Sequence, residues 1–145
     1  MKFTVQDVET IQSYLHKDYT GCKIKVHNSR FSFVKRILFN YPKWNFMSKL
    51  NHIIGVLCIG KAYGCYTEKV ELMQVFNFHI NEFEKGEELW TFIQVVPHEL
   101  RHYWQDKNNK FSNPNSECDA VAFQLRMINR KEFIDYVESY FGTKV

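Results

Sequence analysis

Residues 89–106 constrain the fold most, because they combine a helical pattern of apolar residues with two histidines at metal-ligand spacing. Residues four apart on an α-helix lie about 40° apart around the axis and about 6 Å apart along it. His98 and His102 therefore project from one face and can direct two imidazole nitrogens at one ion. Pro97 interrupts the pattern, so it either kinks this helix or occupies the first turn of a new one.

Glu99 follows the first histidine directly, which completes a His-Glu-x-x-His motif. Zinc binds neutral imidazole nitrogens, and a catalytic zinc site has three protein ligands and one water. The metal lowers the pKa of that water toward about 7, so a neighbouring carboxylate can remove its proton at neutral pH. We therefore predict Zn²⁺ as the cofactor, His98 and His102 as ligands, and Glu99 as the general base of a hydrolase.

The third metal ligand has to lie outside the motif. No histidine follows His102, so a third histidine further along the chain is excluded. Glu117 lies at the start of a helix predicted after the loop 107–113, close enough to fold back onto the two histidines. Asp119 is two residues further on and points about 200° away, so the two acids cannot both face one metal directly. The downstream carboxylates that remain are Glu132, Asp135 and Glu138.

The order of the predicted elements indicates an α+β fold, because strands precede a run of helices. The length of 145 residues fits one domain, residues 1–145. Residues 30–49 fit a helix or a strand, with a break at 40–42. The other predicted elements are a helix capped by Thr4 and Asp7, strands over 22–27, 52–59 and 71–83, and helices over 89–106, 114–129 and 131–141.

The composition favours a globular chain, since 45% of the residues are hydrophobic and 24% are charged. No run approaches the roughly 18 apolar residues that cross a bilayer, so we expect no membrane partner. The first 20 residues alternate charged and apolar side chains and lack the apolar stretch of a signal peptide. A cytoplasmic location is therefore expected.

The charge is distributed unevenly along the chain. Residues 19–67 contain eight basic residues and no Asp or Glu, whereas twelve acids and eight bases lie from Glu71 onward. A stretch of one sign can attract nucleic acid or an acidic protein, or it can form a solvated surface that balances the acidic half. The eight residues are Lys23, Lys25, Arg30, Lys35, Arg36, Lys43, Lys49 and Lys61.

The motif HELRH and the later segment ECDAVAF, residues 117–123, together resemble the gluzincin superfamily of zinc metallopeptidases. The similarity is greatest to the small ImmA/IrrE-type and minimal single-domain members, in which a glutamate helix of the form E-x-E/D-A-N/D-x-F follows the motif. The matching residues are Glu117, Asp119, Ala120 and Phe123. The resemblance implies that Glu117 is the third zinc ligand, that Asp119 supports it, and that the substrate is a protein or peptide.

The resemblance also implies a zincin-like fold, in which a twisted sheet of about three strands packs on an N-terminal helix, the active-site helix and the glutamate helix. Two positions depart from the family pattern. Val121 stands where an Asn or Asp usually hydrogen-bonds a ligating histidine, and Arg101 replaces a common Gly or Ala. No residue matches the family's transition-state-stabilising His or Tyr, which leaves Tyr103, Tyr136 and Tyr140 as candidates.

Two alternatives stay open. The chain could be a catalytically weak or inactive zinc-binding regulatory module that contacts nucleic acid or a protein through residues 19–67, an idea favoured by the charge asymmetry and by Val121. Separately, the polar side of the predicted strand 71–83, formed by Asn77, His79 and Asn81, could belong to an edge strand that binds substrate by strand addition.

Overall fold

Helices surround one small sheet, and the α+β prediction is confirmed. The structure is a computed structural model that describes residues 1–41, 43–59, 62–83 and 86–143. Short 3-10 turns lie at Lys17–Tyr19 and Glu68–Val70, and a π-helical turn at Gly55–Ile59 continues the third helix. In chain order the elements are α1 (Val5–Tyr14), β1 (Lys23–His27), α2 (Arg30–Asn40), α3 (Phe46–Ile54), β2 (Gly64–Thr67), β3 (Leu72–Phe76), α4 (Asn77–Ile80), α5 (Glu87–Lys107), α6 (Ser116–Ile128) and α7 (Lys131–Phe141).

The sheet has the order β1-β3-β2, so β3 is its central strand. β1 runs parallel to β3, with Val26 opposite Val75, and β2 runs antiparallel to β3, with Tyr66 opposite Met73. All five residues of β3 are buried. Because β2 pairs on one side only within the described sheet, it is the edge that lies next to α5.

Helix α5 packs against β2 and β3 of the sheet. Phe92, Ile93, Val96 and Leu100 on α5 are fully buried. Phe3 stacks on Phe92 with ring centroids 3.9 Å apart, which joins the start of the chain to this helix. These contacts fix the orientation of α5, and its opposite side carries the two histidines.

Two predictions about helices can be decided directly. Thr4 and Asp7 form the expected capping box at the start of α1, because each side chain accepts a hydrogen bond from the other residue's backbone N–H. Pro97 lies inside α5, which continues unbroken from Glu87 to Lys107. The alternative prediction, that Pro97 occupies the first turn of a new helix, is therefore wrong. A proline inside a helix removes one backbone hydrogen bond, and the burial of α5 on both sides of it maintains the helix.

The predicted strand over 52–59 is wrong, because these residues continue helix α3 and its π-helical turn. The Asn45 side chain accepts a hydrogen bond from the Ser48 backbone and so caps α3 at its start. Within 30–49, α2 and the first residues of α3 form, and both are helical. An apolar run of eight residues does not by itself distinguish a buried strand from a helix.

The strand predicted over 71–83 ends at Phe76, and a short helix, α4, follows. Asn77 and His79 are therefore buried helical residues, and β3 is not an edge strand. The edge beside α5 is β2, which the sequence pattern does not predict. In the described ranges, no helix is both long enough and apolar enough to cross a membrane.

Candidate metal centre

Helices α5 and α6 bring together the three predicted ligands. His98 and His102 are one turn apart on α5, and Glu117 lies in the first turn of α6. The two Nε2 atoms are 3.1 Å apart. Glu117 Oε1 is 3.1 Å from His98 Nε2, and Glu117 Oε2 is 3.2 Å from His102 Nε2. One ligand atom from each residue thus converges on a common point, with all of them within 4.8 Å of one another.

This geometry fits a tetrahedral metal ion. Zinc with ligand bonds of about 2.0–2.1 Å holds neighbouring ligand atoms about 3.3 Å apart. The three separations measured here, 3.1, 3.1 and 3.2 Å, are close to that length. Two imidazole nitrogens and one carboxylate form the donor set of a catalytic zinc site, with one position left for water. The residues present therefore fit the ion that the sequence predicts.

Glu99 lies beneath the edge strand β2 and beside this centre. Its carboxylate accepts a hydrogen bond from the Tyr66 backbone, while burial raises its pKa to about 8 and the nearby Glu117 charge acts in the same direction. A cation bound by the ligands would lower the pKa of Glu99 again, because a positive charge favours the carboxylate. Glu99 is thus placed where it can hold or release a proton near neutral pH.

Gly64 allows β2 to approach Glu99 this closely. A Cβ at this position would lie 2.6 Å from Val95 Cγ1 and 2.8 Å from Glu99 Cγ, both shorter than real contacts. Any side chain on Gly64 would therefore displace β2 or the Glu99 side chain.

Gln105 supports His102, and the sequence analysis did not identify it. Its Oε1 lies 2.8 Å from His102 Nδ1, and its Nε2 donates to the Ser116 carbonyl at 2.7 Å and to Asp119 Oδ2 at 2.8 Å. Gln105 is only 1% exposed. The detectable signal is its spacing, since it lies three residues after His102 on the same helix.

Gln124 on α6 supports His98, as Gln105 supports His102. It lies within hydrogen-bonding reach of the His98 ring. Its Nε2 donates to Gln94 Oε1 at 3.1 Å, and Gln94 Nε2 donates to the Trp90 carbonyl at 3.2 Å. Burial lowers the pKa of His98, and the neighbouring His102 lowers it further, which favours the neutral ring that a metal needs.

Arg101 and Asp119 connect the two helices behind the ligands. Arg101 Nε and Nη2 donate to the two oxygens of Asp119 at 2.7 and 3.1 Å, and Nη1 donates to the Tyr19 hydroxyl at 2.9 Å. The guanidinium also lies over the Trp104 ring, 3.9 Å from its centroid. Arg101 holds the pKa of Asp119 below its usual range. Asp119 thus faces away from the three ligands and toward their supports.

Val121 does not take part in this arrangement, because its side chain is 40% exposed on α6. The three tyrosine candidates also point elsewhere. The hydroxyl of Tyr103 donates to the Thr20 carbonyl, that of Tyr136 to the Thr10 carbonyl, and that of Tyr140 to Asp7. None of these three hydroxyls is directed at the ligands.

A cleft of about 590 Å³ opens beside His98 and Glu99. Residues 62–64 form one wall, α5 forms the other, and Gln124 borders it from α6. Tyr63 is the tyrosine that lines this cleft among the described residues. The lining is largely apolar and aromatic, and its other members include Ala62, Phe83, Trp90 and Val95.

The comparisons with known proteins add no relative. No family model, no curated protein and no solved structure matches this chain.

Proposed function

We propose that this chain is a zinc-dependent metallopeptidase of zincin-like architecture. The convergence of His98, His102 and Glu117 within 4.8 Å is the observation that carries the proposal. The order of an edge strand, a His-Glu-x-x-His helix and a glutamate helix agrees with the gluzincin resemblance. His98, His102 and Glu117 hold the ion, and Glu99 is the catalytic residue. The cytoplasmic location stays a prediction.

When bound, zinc polarises a carbonyl and lowers the pKa of a water to about 7, which supplies a nucleophile for peptide hydrolysis. The Glu99 carboxylate would accept a proton from the attacking water and return it to the leaving amine. The Tyr66 backbone N–H keeps the Glu99 carboxylate beside the cleft. Gln105 and Arg101 keep α6, and with it Glu117, in place against α5.

The lining of the cleft supports a protein or peptide as the substrate. We expect an extended segment to bind between residues 62–64 and α5, where the rings and aliphatic side chains would receive apolar substrate side chains beside the polar Glu87, Thr91 and Gln94. The strand beside this space is β2 and not the strand predicted over 71–83. A protein or peptide therefore remains the proposed substrate.

Glu99→Gln tests the mechanism. Protein purified without added metal is analysed for zinc, and the zinc-loaded chain is incubated with a pool of unstructured peptides whose new termini are identified by mass spectrometry. We expect one zinc per chain in the wild type and in Glu99→Gln, and a loss of about 10²–10⁴-fold in hydrolysis for the variant. Glu117→Ala should lose the zinc itself.

Glu132→Gln is the matched control, because Glu132 is exposed on α7 and should leave both readouts unchanged. Equal hydrolysis by Glu99→Gln would remove Glu99 from the mechanism. A wild-type chain that takes up no zinc, even after reconstitution, would remove the peptidase proposal as a whole.

A second candidate function, a regulatory module that contacts nucleic acid or a protein, is supported by a different region. A cavity of about 880 Å³ gathers Lys23, Lys25, Arg36 and Lys43 beside Trp44. Glu9, Glu68 and Glu71 also line it, which reduces its positive charge. The support from Val121 is weakened, because Gln105 contacts His102 instead.

Binding of a fluorescent single-stranded oligonucleotide at 50 and 200 mM salt tests this second function. Phosphate contacts from the cavity predict an affinity that falls steeply with salt, and Arg36→Glu should reduce both the affinity and its salt dependence. An absence of binding at the lower salt concentration would dismiss the nucleic-acid version.

A further inference from the structure

A histidine binds zinc through one ring nitrogen, and that nitrogen must carry a lone pair. In a neutral imidazole the other nitrogen then carries the proton, so its hydrogen-bond partner selects the tautomer. Both His98 and His102 direct Nε2 at the common point. Each therefore needs an acceptor at Nδ1, and the surrounding network identifies it.

For His102, the donor and acceptor roles can be assigned outward from Asp119. Arg101, which can only donate, donates to both oxygens of Asp119, so the carboxylate acts as the acceptor. The Ser116 backbone oxygen also only accepts. The Gln105 group that contacts both must be its NH₂, which turns Oε1 toward His102. Because Oε1 only accepts, His102 Nδ1 is the donor and Nε2 holds the lone pair.

For His98, the assignment begins at the Trp90 carbonyl, which can only accept. Gln94 therefore contacts it through its NH₂ and presents Oε1 to Gln124. The NH₂ of Gln124 donates to that oxygen, and Gln124 Oε1 remains as the acceptor within reach of the His98 ring. Since Nε2 of His98 faces Glu117, Nδ1 is the nitrogen left for Gln124.

We propose that Gln105 and the Gln94–Gln124 pair are positioning residues that fix both metal-binding histidines in the Nδ1–H tautomer. They supply the acceptor that the gluzincin resemblance led us to expect at residue 121. Gln105 forms the first relay of hydrogen bonds and the Gln94–Gln124 pair forms the second. Each relay starts at an oxygen that can only accept and ends at one imidazole, so none of the three amides can rotate without losing a hydrogen bond. The inference rests on the proposed metal site and does not depend on hydrolysis.

Gln105→Met tests the first relay, because methionine has a similar length and its thioether sulfur is only a weak acceptor for the proton of His102 Nδ1. Zinc affinity is measured by competition with a chromophoric chelator. We expect a loss of about 10–100-fold, the usual effect of removing the partner of a ligating histidine. Long-range ¹H–¹⁵N spectra of the metal-free chain report the tautomers, and the variant should gain a population with the proton on Nε2 of His102.

Gln74→Met is the matched control for Gln105→Met. Gln74 is also a fully buried glutamine bonded to histidines, His27 and His52, but it lies on β3 outside the centre. It should lower stability and leave zinc affinity within about twofold of wild type. An equal loss of affinity in both variants would mean that Gln105 acts only through general folding.

Gln124→Met tests the second relay at a half-buried position. We expect a loss of up to about tenfold in zinc affinity, with the tautomer change confined to His98. Wild-type spectra in which Nδ1 of either histidine carries no proton would overturn the inference, whatever the zinc affinity. A wild-type chain with both rings in the Nδ1–H form and no zinc binding would instead overturn the proposed function and leave the tautomer assignment intact.

Discussion

Helix α5 and the α2–α3 segment, residues 30–59, are both rich in apolar residues but differ in what covers them. Ten residues of α5 are buried, including two charged or polar members of the metal centre, Glu99 and His102. Helix α3 holds five large apolar side chains in nine residues and buries none of them. Phe31 and Ile59 in the same segment are 79% and 80% exposed. Hydrophobicity alone therefore does not determine burial, because burial also needs a packing partner.

The hydrogen-bond network is also more extensive around α5 than around the α2–α3 segment. Behind the ligands, Gln105, Asp119 and Arg101 form a continuous network that connects α5 with α6. The α2–α3 segment contacts the sheet through a smaller set, in which Gln74 lies between His27 and His52. We infer that α5 contributes to global stability far more than α3 does, and that the metal centre is built on the more rigid of the two regions.

The largest effect is expected for a matched pair of isoleucines. Ile93→Ala on α5 removes a fully buried side chain and should lower the free energy of unfolding by about 2–5 kcal/mol, since it leaves a cavity. Ile59→Ala, at a residue that is 80% exposed, should change it by less than about 0.5 kcal/mol. Urea denaturation followed by circular dichroism measures both. Comparable losses in the two variants would show that the α2–α3 segment is covered in solution, for example by self-association.

The sequence was sufficient to predict the helices of the region that carries the proposed centre. The predicted helices over 89–106, 114–129 and 131–141 correspond closely to α5, α6 and α7. These helices have a periodic apolar face and a recognisable start or stop, both of which are local features. Helical spacing placed His98 and His102 on one face, and the gluzincin resemblance, together with the short connection between the helices, selected Glu117 as the third predicted ligand.

The sequence was insufficient to predict strands and side-chain roles that depend on partners far away in the chain. The four residues of β2 acquire their strand conformation by pairing with β3, and no alternation marks them. The roles of Gln105 and Gln124 depend on acceptors from another part of the chain, such as Ser116 and Gln94. Sequence spacing shows which residues share a helix face but not which amide turns toward which histidine.

A second pair of variants compares ion pairs in the two regions. Arg101 is only 14% exposed and donates two hydrogen bonds to Asp119, so Arg101→Ala should lower the free energy of unfolding by about 2–3 kcal/mol. Arg30 on α2 pairs with Glu82 but is 57% exposed, and Arg30→Ala should cost about 0–1 kcal/mol. Arg101→Lys should recover only part of the loss, because lysine keeps the charge and lacks the two-pronged geometry. A full recovery would show that charge alone joins α5 to α6.

The smallest of the three expected effects is the pH dependence of the free energy of unfolding that arises at His27, where β1 contacts the α2–α3 segment. Burial lowers the pKa of His27 from its usual 6.5 to about 4, and its hydrogen bond with Gln74 offsets this only in part. Between these pH values the unfolded chain binds a proton that the folded protein excludes, so His27 stabilises the fold fully above about pH 6.5 and loses this contribution as the pH falls toward 4. Between pH 7 and pH 5 the loss should be about 2 kcal/mol.

Urea denaturation at both pH values should show a smaller pH dependence for His27→Gln than for the wild type, whereas His16→Gln, at an exposed position, should resemble the wild type. An unchanged pH dependence in His27→Gln would mean that water reaches this histidine, and that the α2–α3 segment is held to the sheet even more loosely than its exposed apolar residues indicate.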